Sequence, residues 1–254
     1  MLGIIRSELL KMRHTFSMKL IILAPLVTLL LGYLLSGSYV QLSAYNWWYS
    51  MILPLVVSLC SASMIVREKR TGMQNIVCLP VRFDKIWLGK TAAIAILLFV
   101  ANLLLWISTT VVGFVTKVTV SPMDGLIGCM LLFLTYIWQI PFLMLLVNFM
   151  GYIPAVLVSL AANMILSTVG AEAKWFSYVP YAIPTRIVYP FFKMHANGIP
   201  LESGSPLLSG EYVLPALIIS LVFALVVFWV SSKLFSRGVL THELILPLSE
   251  KRCL

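Results

Sequence analysis

Apolar residues fall into six long blocks separated by polar punctuation, each close to or above the ~20 residues that carry a helix across about 30 Å of hydrocarbon. The blocks run from about 20 to 35, 43 to 66, 91 to 116, 122 to 147, 153 to 169 and 213 to 234. Pro25 and Gly32 are placed to bend the first block, and Trp47, Trp48 and Tyr49 open the second as an aromatic belt at headgroup level. Ser121-Pro122-Met123-Asp124 reads as a helix start, with Ser121 as N-cap and Pro122 at the first helical position. Only Asn148 to Tyr152 separates the fourth and fifth blocks, which makes them antiparallel neighbours.

Three stretches break the pattern. In residues 1 to 19, Leu2, Ile5, Leu9, Met12 and Phe16 recur at helical spacing, while Arg6, Ser7, Lys11, Arg13 and His14 fall off that stripe. This predicts an interfacial amphipathic helix. A cleaved secretory leader fits less well, because the lead-in is long and Ser36-Gly37-Ser38 is a poor cleavage site. The loop from 67 to 90 sets the apolar segment Met73 to Leu79 between a basic cluster ending in Gly72 and the stop at Pro80, which predicts a short helix. Phe83, Ile86, Trp87 and Lys90 then form an interfacial ramp. From 170 to 212, five prolines at 180, 184, 190, 200 and 206 exclude one continuous helix and predict short helices that dip back towards the bilayer.

Composition agrees with the pattern. Of 254 residues, 61% are hydrophobic and only 11% charged, with a mean hydropathy of +1.00, against roughly 45–50% and about 25% in soluble domains. The chain is therefore expected to be an all-α, polytopic membrane protein with little mass outside the bilayer, which excludes a soluble catalytic domain. A net charge of +9 would raise nucleic acid as a partner in a soluble protein, but here it sorts by side. The leading helix, the 67–90 loop and the C-terminal tail hold 14 of the 18 Lys and Arg and a net +9, and the other side is neutral. Both termini and that loop are accordingly expected in the cytoplasm, and 170–212 outside. Cys60, Cys78, Cys129 and Cys253 form neither a disulfide framework nor a metal-ligand spacing.

Catalytic chemistry is missing. No Gly-x4-Gly-Lys-Ser/Thr cradle for ATP occurs, and His14, His195 and His242 are scattered. Paired carboxylates and serine-base arrangements are absent from the spans, which excludes an intramembrane enzyme. The spans carry essentially no ionisable residue of the kind that drives ion-coupled carriers. Their polar groups, Asn102, Gln139, Asn163 and several Ser and Thr, act either as helix-to-helix glue or as a lining that faces substrate. In the outside loop, Trp175, Phe176, Tyr178, Tyr181, Tyr189, Phe191 and Phe192 either anchor the headgroup zone or meet cationic peptides there.

Together these features resemble the permease of an ABC-2 type transporter. The resemblance rests on Ser7-Glu8-Leu9-Leu10-Lys11-Met12-Arg13 before six spans, Arg67-Glu68-Lys69-Arg70-Thr71-Gly72-Met73, and then Leu79-Pro80-Val81 to Gly89-Lys90. Tyr45-Asn46-Trp47-Trp48-Tyr49 before Leu53-Pro54, and Tyr178-Val179-Pro180-Tyr181-Ala182-Ile183-Pro184-Thr185-Arg186, are similar to the permeases of lantibiotic immunity transporters.

The resemblance implies a homo- or heterodimer of permeases with two ABC ATPase subunits in a bacterial cell membrane, expelling a peptide antibiotic. ATP and Mg then belong to the ATPase, and this chain needs no cofactor. It also implies that Gly72, Met73, Ile76, Leu79 and Pro80 form a coupling helix, with Glu68 and Arg70 at its edge. Substrate contacts, read from the polar groups of the spans and from the outside loop, are expected from Asn102, Gln139, Asn163, Trp175, Tyr178, Tyr181 and Arg186. Export of a bacitracin-like peptide or another hydrophobic drug remains an alternative, as does a non-transporting membrane anchor or assembly subunit. The expected organisation is an interfacial helix (1–19), a six-span domain (20–240) and a C-terminal tail (241–254).

Overall fold

The computed structural model describes residues 1–71 and 81–245. Its helices are α1 (Leu2–Met12), α2 (Phe16–Ser36), α3 (Val40–Trp47), α4 (Leu53–Arg70), α5 (Phe83–Val115), α6 (Pro122–Tyr136), α7 (Gln139–Met150), α8 (Tyr152–Gly170), α9 (Ile183–Ile187), α10 (Tyr189–Phe192) and α11 (Val213–Ile245). Six segments are long and apolar enough to cross a membrane: Phe16–Ser36, Val40–Arg70, Phe83–Val115, Pro122–Met150, Tyr152–Gly170 and Val213–Arg237. The chain is thus an all-α polytopic membrane protein, with no strand among the described residues.

The second and fourth spans form the middle of the bundle, with 67% and 61% of their most apolar windows buried within the chain, whereas the sixth has only 17% buried. Composition follows position. The interior seams carry Ala, Ser and Gly, which let helices approach closely. A Cβ at Gly32 would lie 2.9 Å from the Val40 carbonyl oxygen, and one at Gly128 would lie 2.4 Å from the Phe192 ring.

Span boundaries differ from the hydropathy pattern in three places. The leading helix stops at Met12 rather than near residue 19, because Thr15 takes an extended conformation and its hydroxyl donates to the Met12 carbonyl at 2.7 Å, after which α2 begins at once. The ramp expected at 83–90 is continuous with the third span, and α5 runs for 33 residues, or ~50 Å at 1.5 Å per residue. The second span begins at Val40, where α3 passes through one widened turn at Trp48–Ile52 into α4.

That widened turn also corrects the aromatic belt. Trp48, Tyr45 and Tyr49 are 0–1% exposed, because each polar tip finds a partner inside the bundle. Trp48 Nε1 donates to Asn102 Oδ1 at 3.1 Å, the Tyr45 and Thr109 hydroxyls are 2.8 Å apart, and Tyr49 donates to the His195 carbonyl at 3.0 Å. The Tyr136 hydroxyl donates to the Tyr49 carbonyl at 3.0 Å, serving an oxygen at the widened turn, where the regular ladder is interrupted.

Between α8 and α11 the chain folds into short helices, as its prolines predict. Pro184, Pro190 and Pro206 sit in the first turns of α9, α10 and a 3-10 turn at Pro206–Leu208, where a missing N–H costs nothing. All five residues of α9 are buried. The Phe192 ring of α10 stacks on Tyr45 at 4.3 Å and 17°, which locks this segment to the second span.

Candidate functional site

At the end of the bundle that carries α1, four charges from three helices converge. Lys90, in the second turn of α5, is fully buried and donates to Glu8 Oε2 at 2.9 Å and to Glu68 Oε1 at 2.6 Å. Lys11 completes the group at 2.8 Å from Glu8 and 3.3 Å from Glu68. Glu8 and Glu68 are 2% and 1% exposed. Two acids facing two bases leave no net charge in a place where one unpaired charge would be costly. Burial pulls the Lys11 ammonium down, but the carboxylates of Glu8 and Glu68 outweigh it and hold its pKa above the ordinary lysine value.

This arrangement revises the face on which the leading helix packs. Glu8 and Met12 are its buried residues, and Ile4 meets Gly89 so closely that a Cβ there would lie 2.5 Å from Ile4 Cγ2. Leu2 and Phe16 of the apolar stripe are instead 84% and 64% exposed. It also revises the expectation of spans essentially free of charge, since Glu68 and Lys90 lie buried near the ends of the second and third.

Arg67 and Lys69 extend the joint. The Arg67 guanidinium donates to the Lys11 carbonyl at the end of α1. Lys69 donates to the Asn148 carbonyl at 2.6 Å and caps the C-terminal end of α7, where a cation suits both the free carbonyls and the helix dipole. Just beyond, Gly151 has φ +85°, which permits the reversal into α8. The start of the 67–90 loop is thereby tied to the leading helix and to the break between the fourth and fifth spans.

Of the residues expected to couple to an ATPase, Gly72, Met73, Ile76, Leu79 and Pro80 lie outside the described residues. Arg70 is exposed, and Glu68 is turned inward to hold Lys90 and Lys11. The signals for Glu8 and Lys90 were present but indirect. Glu8 and Lys11 are three apart on a helix, and Lys90 opens an otherwise apolar run. What the sequence could not show is that both acids share Lys90.

Mid-membrane, the expected polar residues are satisfied by each other. Gln139 Nε2 donates to Asn163 Oδ1 at 3.0 Å, and Asn163 Nδ2 donates to Gln139 Oε1 at 3.1 Å and to the Ser159 carbonyl at 2.9 Å. Asn102 accepts from Trp48 and donates to the Leu98 carbonyl at 2.9 Å. All three are 0–1% exposed; the Trp48–Asn102 and Gln139–Asn163 bonds join helices, and the bonds to the Leu98 and Ser159 carbonyls stay within one helix.

The far end holds a crevice of about 520 Å³ between the ends of the first two spans and the α10–α11 link, lined by Tyr39, Asn46, Trp47, Asn197 and Pro200 among others. Asn46 fixes one wall by donating to the Ala196 carbonyl at 3.0 Å. Trp175 and Tyr178 are 46% and 86% exposed, as headgroup-level rings. Tyr181 turns inward, edge-on to Trp138 at 4.8 Å. Arg186 is buried among Tyr212, Tyr189 and Phe176, at 4.4, 5.4 and 5.6 Å from their ring centres. Burial raises the Tyr189 and Tyr212 hydroxyls above the ordinary phenol range, so both rings face the guanidinium uncharged. Among the described residues no group of His, Cys, Asp and Glu could hold a metal ion.

Residues 4–170 match the profile of a family described as ABC-2 family transporter protein, which covers the leading helix, the charge cluster and the first five spans. No curated protein and no solved structure matched the chain.

Proposed function

Because the chain belongs to the ABC-2 transporter family and is thus a membrane permease that works with an ABC ATPase, we propose that its transporter expels an amphiphilic, lantibiotic-like peptide from a bacterial cell membrane. In this reading two permeases, identical or different, span the bilayer and two ATPase subunits bind ATP and Mg in the cytoplasm, on the side of both termini. Gly72 to Pro80 docks on the ATPase. The cluster of Glu8, Lys11, Glu68 and Lys90 lies on the helices that flank that segment and passes its movement to the second and third spans, because a packed ionic joint transmits displacement instead of absorbing it.

The observation that carries the peptide reading is the folded 170–212 segment beside the 520 Å³ crevice. Amphiphilic peptides reach the outer leaflet first. A surface of exposed rings, with a crevice of ligand size next to it, offers them contacts at that level. The test exchanges residues 170–212 for the equivalent segment of a related permease that protects against a different peptide, after confirming expression and ATPase association. Protection should follow the exchanged segment. If it stays with the parent spans, specificity lies in the bundle and the segment is a membrane anchor.

A further inference from the structure

Arg186 is only 9% exposed, and its side chain has no hydrogen bond or ion pair within the described protein. Nε and Nη1 are completely covered and unbonded. The three rings around it stabilise the cation electrostatically, at centroid distances of 4.4 to 5.6 Å. A ring face is only a weak acceptor for the guanidinium N–H groups, and arginine cannot shed its proton to escape the cost of burial.

One acidic residue of the same segment, Glu172, is already committed. Glu172 Oε1 pairs with His195 Nδ1 at 2.6 Å and accepts from the Tyr189 hydroxyl at 3.4 Å, on the other side of that ring. No described residue supplies a counter-charge to Arg186, and one from outside the chain would complete it. Its position says from where. Tyr212 directly precedes the last span, Phe176 lies six residues beyond the end of the fifth, and exposed Trp175 and Tyr178 sit on the same short stretch. Arg186 is thus held near the headgroup zone, where phosphate oxygens are abundant.

We propose that Arg186, in its box of Phe176, Tyr189 and Tyr212, is a binding site for a phosphate group. The rings hold the guanidinium in place, and Nη2, the fork nitrogen that is not covered, is left to donate to a phosphate oxygen. The phosphate comes either from a lipid headgroup or from a free phosphate compound. The assignment holds whichever compound the transporter moves.

The test uses the full-length permease in detergent, with three probes: dihexanoyl-phosphatidylglycerol, dihexanoylglycerol, which has the same chains without phosphate, and inorganic phosphate. Calorimetric titration should show the phosphatidylglycerol binding at least about tenfold more tightly than the diacylglycerol. Arg186→Gln should abolish that difference, and Arg186→Lys, which keeps the charge but not the fork, should reduce it in part. Arg186-dependent binding of the phospholipid alone assigns a lipid headgroup, whereas comparable Arg186-dependent binding of inorganic phosphate assigns a free phosphate compound. Equal affinity of native protein and Arg186→Gln for every probe overturns the proposal. If Arg186→Gln is not recovered folded, an affinity unchanged in Arg186→Lys overturns it instead.

Discussion

Both ends of the bundle bury charge, and they do so in opposite ways. At the end that carries α1, Lys90 is enclosed with two carboxylates at 2.6 and 2.9 Å, each brought by a different helix. At the other end, Arg186 is nearly as well covered but has only aromatic faces beside it. A cluster whose charges cancel holds its helices together and asks for nothing further. A buried cation without a counter-ion is incomplete, and folding alone does not explain its retention. The first end therefore reads as a mechanical joint, and the second as a place where something binds.

The largest effect expected from this contrast is at Lys90. Lys90→Met leaves two buried carboxylates with only the partly exposed Lys11 to share and should cost ~3–5 kcal/mol, visible as a lowered thermal midpoint in detergent. Adding Glu8→Met and Glu68→Met should restore most of the loss, because the penalty comes from charges left behind and not from the missing ammonium. A single variant as stable as the native protein would mean that the cluster is not a joint. Arg186→Met should cost less than about 2 kcal/mol in the absence of ligand, since it gives up only contacts with ring faces and strands no partner. A loss as large as that at Lys90 would show that Arg186 is already paired, and the contrast would fail.

The smallest effect sharpens the first end by pH. Lys11 has a raised pKa when folded, so its contribution is complete below the ordinary value of 10.5 and is lost as pH rises through the folded value. Its side chain is 32% exposed, so the contribution is ~0.5 kcal/mol. Midpoints measured from about pH 8 to about 11.5 should fall slightly more for the native chain than for Lys11→Met. Parallel curves would remove Lys11 from the joint.

Much of the candidate site could be read from the chain, but not its contacts. The five prolines from 180 to 206 announced short helices in place of one long one, and the mid-membrane amides were recognised as either glue or lining. Gln139 and Asn163 are 24 residues apart, and no periodicity shows that a hairpin at Gly151 sets their amides side by side. Of the expected belt of Trp47, Trp48 and Tyr49, Trp48 and Tyr49 misled for the same reason, and Tyr45 one turn before them also turns inward. An aromatic run at the edge of an apolar block suits a headgroup belt equally well, and only the positions of Asn102, Thr109 and His195 decide that these rings point inward.

The sequence by itself determined that the chain is helical and has six segments long and apolar enough to cross a bilayer. Those properties follow from local facts: hydrocarbon demands long apolar segments with internally bonded backbones, and proline ends helices wherever it stands. Tertiary structure alone decided which charges are neutralised. The Lys90 bond to Glu8 spans 82 positions of the chain, and the lack of any such partner at Arg186 is equally a matter of distance in space. Whether a buried charge is a joint or a site depends on what lies within a few ångströms of it, and that is fixed only when the helices pack.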